Sequence, residues 1–99
     1  SLLALIEKTI ETGDLEGASR YSEELLRAGT PDFAAWMSAG WARHASEDYS
    51  GAREAYRQAA ALRPENADAW LNAGIASQQL GDVRAAREAL EAALQAEPG

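Results

Sequence analysis

The sequence contains no cysteine among its 99 residues, so disulfide bonds, thiolate nucleophiles and cysteine metal ligands are excluded. It contains one histidine, His44, which leaves no basis for a nucleophile–base pair or for metal-ligand spacing. No serine stands in a strand-to-helix elbow, and the glycines form no phosphate-binding loop. We therefore predict a protein that is not an enzyme, with no cofactor and no metal.

Basic residues are scarce. Nine Lys and Arg stand against 16 Asp and Glu, and the net charge of -7 repels phosphate backbones and anionic lipid surfaces. Nucleic acid is therefore not an expected partner. No apolar run is long enough to cross a bilayer, and no secretory or lipidation signal is present, so we expect a soluble segment without membrane insertion, with the cytoplasm favoured. The opening Ser1 and the final Gly99, which closes the chain in mid-pattern, suggest a piece of a longer protein.

The sequence does contain an internal repeat with a period of 34 residues. A shift by this period superimposes Trp36 on Trp70, Ala39-Gly40 on Ala73-Gly74, Asp48 on Asp82, residues 52–55 on 86–89 and Pro64 on Pro98. A shift by two periods aligns Gly13-Asp14, in a weaker first copy, with Gly81-Asp82. We therefore interpret 1–99 as a single domain of three repeats, about 1–32, 33–66 and 67–99.

Each repeat has the residue spacing of two helices. Trp36, Ala39 and Gly40 stand at i, i+3 and i+4 in a first helix, and Ala52 and Tyr56 belong to a similar stripe in a second. Helix-capping side chains precede five of the helices: Asp14, Asp32, Asp48, Asn66 and Asp82. Gly13 and Gly81 suit the turn after a first helix, and Pro64 and Pro98 end a second one. The pattern predicts helices over residues 2–12, 15–28, 33–45, 49–62, 67–79 and 83–96.

These features resemble the tetratricopeptide repeat, whose pattern is W-x2-L-G-x2-Y, then A-x3-F, then P, on a 34-residue period. The matching positions are Trp36, Gly40, Ala52, Tyr56 and Pro64 in the second copy and Trp70, Gly74, Ala86, Leu90 and Pro98 in the third. The departures are Ala39 and Ala73 in place of Leu, and Arg43 and Ser77 in place of Tyr. The resemblance implies an all-α fold of about six helices, arranged as antiparallel pairs in a right-handed superhelix. It also implies a protein-interaction scaffold whose first helices line a concave groove.

A second stripe on the first helices lies beside the core stripe and is predicted to face that groove. It consists of Leu3, Glu7 and Ile10, then Met37, Trp41 and His44, then Leu71, Ile75 and Gln78, with Asn72 close by. Trp41 is the residue that the repeat pattern does not explain, because Trp36 already occupies the tryptophan position. A large amphipathic ring beside Met37 and Leu71 is typical of an interface anchor.

Alternatives to this interpretation remain open. Met37, Leu71 and Ile75 can equally serve the core between stacked repeats, and Trp41 can cover a neighbouring helix instead of facing the groove. His44 lies near a helix end, where a histidine more often bonds a local carbonyl or contacts water than binds a metal or senses pH.

The expected partner is a protein or peptide with apolar anchors. Some members of the family that the chain resembles bind a terminal carboxylate through Lys, Arg and Asn, but only Asn72 is suitably placed here and Glu7 has the wrong charge. We therefore exclude that mode. Basic residues in the partner would instead meet Glu7, Glu11 and Asp68.

Self-association is the competing function. The last helix has no polar cap after it, and Ala85, Ala89, Ala92 and Ala96 are predicted to form its outward apolar strip. Either further repeats or another copy of the chain would cover this strip, and in a two-fold dimer Trp41 would fill the groove of the second copy.

Overall fold

The computed structural model describes residues 2–29 and 31–96, apart from the side chains of Leu2, Leu3 and Ile10. In this part of the chain the regular secondary structure consists of six α-helices: α1 (Leu2–Thr12), α2 (Leu15–Arg27), α3 (Phe33–Ala45), α4 (Tyr49–Leu62), α5 (Ala67–Gln79) and α6 (Val83–Ala96). The predicted all-α fold and helix pattern are confirmed, except that α2 ends one residue before the predicted end. The side chains of Leu3 and Ile10, which were predicted to face the groove, and the predicted stop at Pro98 lie outside the described part of the structure.

Aspartate and asparagine side chains begin the helices as predicted. Each accepts a hydrogen bond from the backbone N–H three residues later, over 2.9 to 3.1 Å, at Asp14, Asp32, Asp48, Asn66 and Asp82. Such bonds satisfy donors that have no partner within the helix itself. The sequence therefore sets the point at which each of α2 to α6 begins.

The turn within each repeat has one backbone geometry in all three copies. The N–H of Asp14, Asp48 and Asp82 donates to the carbonyl five residues earlier, over 2.8, 2.8 and 3.0 Å. The residue before each aspartate has a positive φ, 77° at both Gly13 and Gly81 but 64° at Glu47. A glycine adopts this conformation without steric cost, whereas a residue with a Cβ does not. Glu47 therefore carries backbone strain that its two counterparts avoid.

The core lies mainly between α4 and α5 and is built from small side chains. Ala52 and Tyr56 of α4 form one cluster with Ala73 and Ala76 of α5. A second cluster contains Ala59, Ala60 and Ala69, and the half-buried rings of Phe33, Trp36 and Trp70 pack against it. Because alanine projects one methyl group, the helices approach closely and the aromatic rings cover the edges of the core.

Ion pairs join successive repeats at their margins. The Arg43 guanidinium of α3 contacts the Glu23 carboxylate of α2 at 2.8 Å, and the guanidinium of Arg53 contacts the Asp82 carboxylate at 3.2 Å. Each helix packs against the next along the chain, and α1 also touches α3. The result is a stack of helix pairs with extents of 35, 25 and 22 Å.

The predicted outward apolar strip of α6 is wrong. Ala85, Ala89, Ala92 and Ala96 are all partly buried, and Ala89 packs against the cluster that contains Tyr56. The exposed apolar residues of this helix are instead Val83 and Leu94, which are 70% and 73% exposed. Ala92 and Ala96 line a surface depression together with Pro64 and Trp70. None of the described helices is both long and apolar enough to cross a membrane.

Candidate partner-binding groove

A cavity of about 360 Å³ opens between the first helices of the second and third repeats. Its lining consists of Trp41, His44 and Ala45 from α3, Tyr56 from α4, and Asn72 and Ile75 from α5. We call the cavity lined by these six residues the groove cavity. The stacking of α5 beside α3 creates it, since neither helix pair alone supplies both walls.

Trp41 lies on the outer wall of the groove cavity and is 38% exposed. Its indole N–H donates no hydrogen bond to the described residues, whereas the N–H of Trp70, a residue of the repeat pattern, bonds the Pro64 carbonyl at 2.9 Å. The ring of His44 meets that of Tyr49 edge to face, with centroids 5.1 Å apart and planes at 78°. Trp41 therefore presents both a broad apolar surface and a free donor to the cavity.

Tyr56 forms the floor of the groove cavity. Only 4% of the residue is exposed, and burial raises the pKa of its phenol from 10.0 to about 12. The ring lies so close to Gly40 that a Cβ at that position would come within 2.6 Å of its Cε1 atom. The absence of a side chain at Gly40 thus lets the Tyr56 ring pack directly against α3.

Of the predicted groove residues, eight have side chains that the structure describes, and four of these line this cavity together: Trp41, His44, Asn72 and Ile75. Ala45 and Tyr56 line it as well and were missed. Ala45 follows Trp41 by four residues, so helical spacing alone could have found it. Tyr56 occupies a core position of the repeat, and nothing in the sequence pattern shows that its ring reaches a cavity.

The other four predicted residues lie elsewhere. Met37 is half-buried and packs against both core clusters, while Glu7 is exposed on α1. Leu71 lines a depression of about 350 Å³ together with Leu90 and Leu94 of α6, and Gln78 lines an adjoining one that shares those two leucines. Leu71 and Gln78 therefore lie against α6 rather than in the groove cavity.

The lining of the groove cavity contains no carboxylate, guanidinium or ammonium group. Its polar groups are the Trp41 indole N–H, the His44 imidazole, the Tyr56 hydroxyl and the Asn72 amide. A concave surface of large apolar side chains with a few polar groups suits an uncharged guest side chain and its adjoining peptide bonds.

The repeated helix pairs define the class of this protein as an α-helical repeat protein. A family model described as TPR repeat matches residues 40–81, and another described as tetratricopeptide repeat matches residues 67–99. The chain is a tetratricopeptide repeat protein. No curated protein matches it. Tetratricopeptide repeats generally mediate protein–protein interaction, and the family typically provides scaffolds without catalytic activity.

Proposed function

We propose that residues 1–99 act as one interaction domain that holds a peptide or helix of a partner protein in the groove between the first helices. The observation that carries this proposal is the groove cavity, an uncharged space that the exposed Trp41 of α3 and the Asn72 amide of α5 line together. The domain has no catalytic role in this proposal. It positions a partner by binding one of its segments.

The cavity chemistry supports a partner with an apolar anchor. The Trp41 ring and Ile75 offer apolar surface on opposite helices, and their contact with an aliphatic or aromatic side chain removes that surface from water. The Asn72 amide makes no hydrogen bond with the described residues, so it can both donate to and accept from a guest backbone. The anchor side chain thus supplies affinity, and Asn72 orients the segment.

Acidic side chains on the first helices favour basic residues in the partner. Glu7 and Glu11 on α1 and Asp68 on α5 are exposed, and none is paired with a cation in the described part of the chain. Attraction to Lys or Arg in the partner raises the association rate, and added salt weakens this attraction. A terminal carboxylate finds no cation in the cavity lining and is not the expected ligand.

A random peptide display library, selected against the wild-type domain, tests the proposal. We expect selected peptides to share one aliphatic or aromatic residue flanked by Lys or Arg. Binding should fall by roughly tenfold or more in Trp41→Ala, because the ring provides much of the apolar contact. Leu62→Ala is the matched control, since Leu62 is 52% exposed on α4 and is not part of the cavity lining.

The indole N–H signals of the three tryptophans locate the bound peptide. In a nitrogen–proton correlation spectrum, a selected peptide should shift the Trp41 signal most, with smaller changes at Trp36 and Trp70. Peptides that bind Trp41→Ala as tightly as the wild type, or that leave its indole signal in place, would show that this groove is not the binding site.

Thermal unfolding separates loss of binding from loss of fold. Trp36 packs against the second core cluster, so Trp36→Ala should cost about 3 kcal/mol. Trp41→Ala should cost clearly less, because Trp41 is partly exposed. Equal losses from the two substitutions would mean that Trp41 is a core residue rather than a binding residue.

A further inference from the structure

The open face of α6 reproduces a face that already binds a helix within this chain. By the 34-residue period, Leu90 and Leu94 correspond to Tyr56 and Ala60 of α4, which pack against Ala73 and Ala69 of α5. Leu90 and Leu94 line two adjoining depressions of about 340 and 350 Å³ beside α5, and Leu94 is 73% exposed. This surface resembles the one on α4 against which α5, the first helix of the next repeat, packs. We call it the α6 face.

The opposite end of the molecule presents a helix at the corresponding register. Leu5 of α1 corresponds to Ala39 and Ala73, which are buried against the preceding repeats, yet Leu5 is 44% exposed. Where α5 inserts Ala73 beside the large ring of Tyr56, α1 would insert the larger Leu5 beside the smaller Leu90. The larger side chain of Leu5 compensates for the smaller side chain of Leu90, so the two side chains together fill a similar volume.

One pair of oppositely charged residues at the two ends also matches. Within the chain, Arg53 reaches across one repeat boundary to Asp82 at 3.2 Å. The residue one period after Arg53 is Arg87, which is exposed and has no carboxylate partner among the described residues. The residue two periods before Asp82 is Asp14, whose carboxylate caps Gly17 of α2 and contacts no cation in the described part of the chain. A copy stacked in the same register would bring Arg87 of one molecule to Asp14 of the next.

We propose that the α6 face binds α1 of a second copy of this chain, so that molecules stack head to tail and continue the internal repeat. The contact is heterologous, because each copy uses a different surface, and it can extend beyond a dimer. It leaves the groove cavity open, so it does not depend on the partner-binding function. The experiment must distinguish this contact from two alternatives. In one, a different protein covers the α6 face, and in the other, two copies form a two-fold contact.

The test uses sedimentation velocity of the whole chain and of two variants with unchanged net charge, Leu94→Gln on the α6 face and Leu5→Gln on α1. Both leucines are exposed enough for the substitutions to leave the fold intact, which circular dichroism checks. Since the proposed contact involves a single helix of one copy, we expect weak association, and concentrations should extend to roughly 1 mM. Wild type should gain mass with concentration, and each variant alone should associate about tenfold or more weakly.

Mixing the two variants gives the deciding result. An equimolar mixture should form dimers and no larger species, because Leu5→Gln retains an intact α6 face and Leu94→Gln retains an intact α1. A two-fold contact between α6 faces would instead let Leu5→Gln associate like the wild type. Either that result or a wild-type chain that stays monomeric throughout the concentration range would overturn the proposal.

The ion pair is tested separately. Arg87→Gln should weaken the association several-fold, whereas the matched control Arg57→Gln, an exposed position on α4 away from both ends, should leave it unchanged. Association that is weakened equally by both substitutions would show a dependence on net charge rather than on the contact of Arg87 with Asp14.

Discussion

The ring of Tyr56 rests directly on the backbone of Gly40, where a Cβ would lie 2.6 Å from Cε1 and 2.8 Å from Cδ1. The corresponding contact in the third repeat is looser, since a Cβ on Gly74 would lie 3.2 Å from the nearest atoms of Leu90. The first neighbour is a rigid ring in the core, and the second is a flexible side chain. The two glycines therefore have different structural roles despite their equivalent positions.

We expect Gly40→Ala to destabilise the fold by about 1 to 3 kcal/mol, because the displaced ring cannot relax without disturbing the core. Gly74→Ala should be neutral or slightly stabilising, since Leu90 can move and alanine gains about 1 kcal/mol in helix propensity. Urea denaturation of both variants checks this. Equal effects at the two sites would contradict the distinction between a rigid and a flexible neighbour.

The strained turn at Glu47 can be relieved by a single substitution. Glu47→Gly should stabilise the protein by about 0.5 to 1 kcal/mol, because the relief of the positive φ exceeds the added entropy of the unfolded chain. The reciprocal change Gly81→Ala should destabilise by about 1 kcal/mol through the backbone alone, since its Cβ would meet nothing within 4 Å. Thermal melts of the two variants should move in opposite directions. A lower melting temperature for Glu47→Gly would show that the side chain of Glu47 contributes more than its backbone costs.

Arg43 joins three helices and should couple energetically to Glu23. Its Nε and Nη2 donate to the Glu23 carboxylate, and its Nη1 donates to the Gly51 carbonyl at 3.1 Å. A double-mutant cycle with Arg43→Met and Glu23→Gln should give a coupling of about 0.5 to 1 kcal/mol. The two side chains are 20% and 45% exposed, so solvent screens the pair and keeps this value small. Additive effects of the two substitutions would mean that the ion pair does not join the repeats.

Alkaline pH should weaken the fold through Tyr56. Burial raises the pKa of its phenol to about 12, above its ordinary value of 10.0, because the buried ring disfavours the phenolate. Between these values the unfolded chain loses the proton while the folded chain keeps it. The contribution of Tyr56 to the free energy of unfolding is therefore fully present below pH 10 and declines as the pH rises towards 12. The decline attributable to this residue is at most about 3 kcal/mol.

Tyr56→Phe provides the control for that pH dependence. It keeps the ring over Gly40 but has no titrating hydroxyl, so the decline in unfolding free energy across this pH range should become shallower. Denaturant midpoints measured at several pH values in both proteins make the comparison. An identical slope in the two proteins would assign the alkaline instability to other groups.

The helices were predictable because their signals are local. An acceptor such as Asp48 caps the first turn of its helix wherever the rest of the chain lies, and Gly13 and Gly81 provide a conformation that the turn requires. Because these signals recur with a period of 34 residues, they predicted both the number of helices and their ends. The repeat pattern also identified Trp36 and Trp70 as structural residues and so set Trp41 apart.

The composition of the groove cavity depended on how the helices rotate against one another. Helical spacing placed Leu71 and Ile75 on one stripe, but they are four residues apart, and the packing of α5 between α4 and α6 places Ile75 in one cavity with Trp41 and Leu71 in another with Leu90. On α6, the packing leaves Ala89 partly buried and Leu94 exposed. The sequence by itself thus determined the helices, their caps and their repetition through contacts within one or two turns. Only the tertiary structure decided which side chains share a cavity, because that depends on the angle and distance between helices that are far apart in the chain.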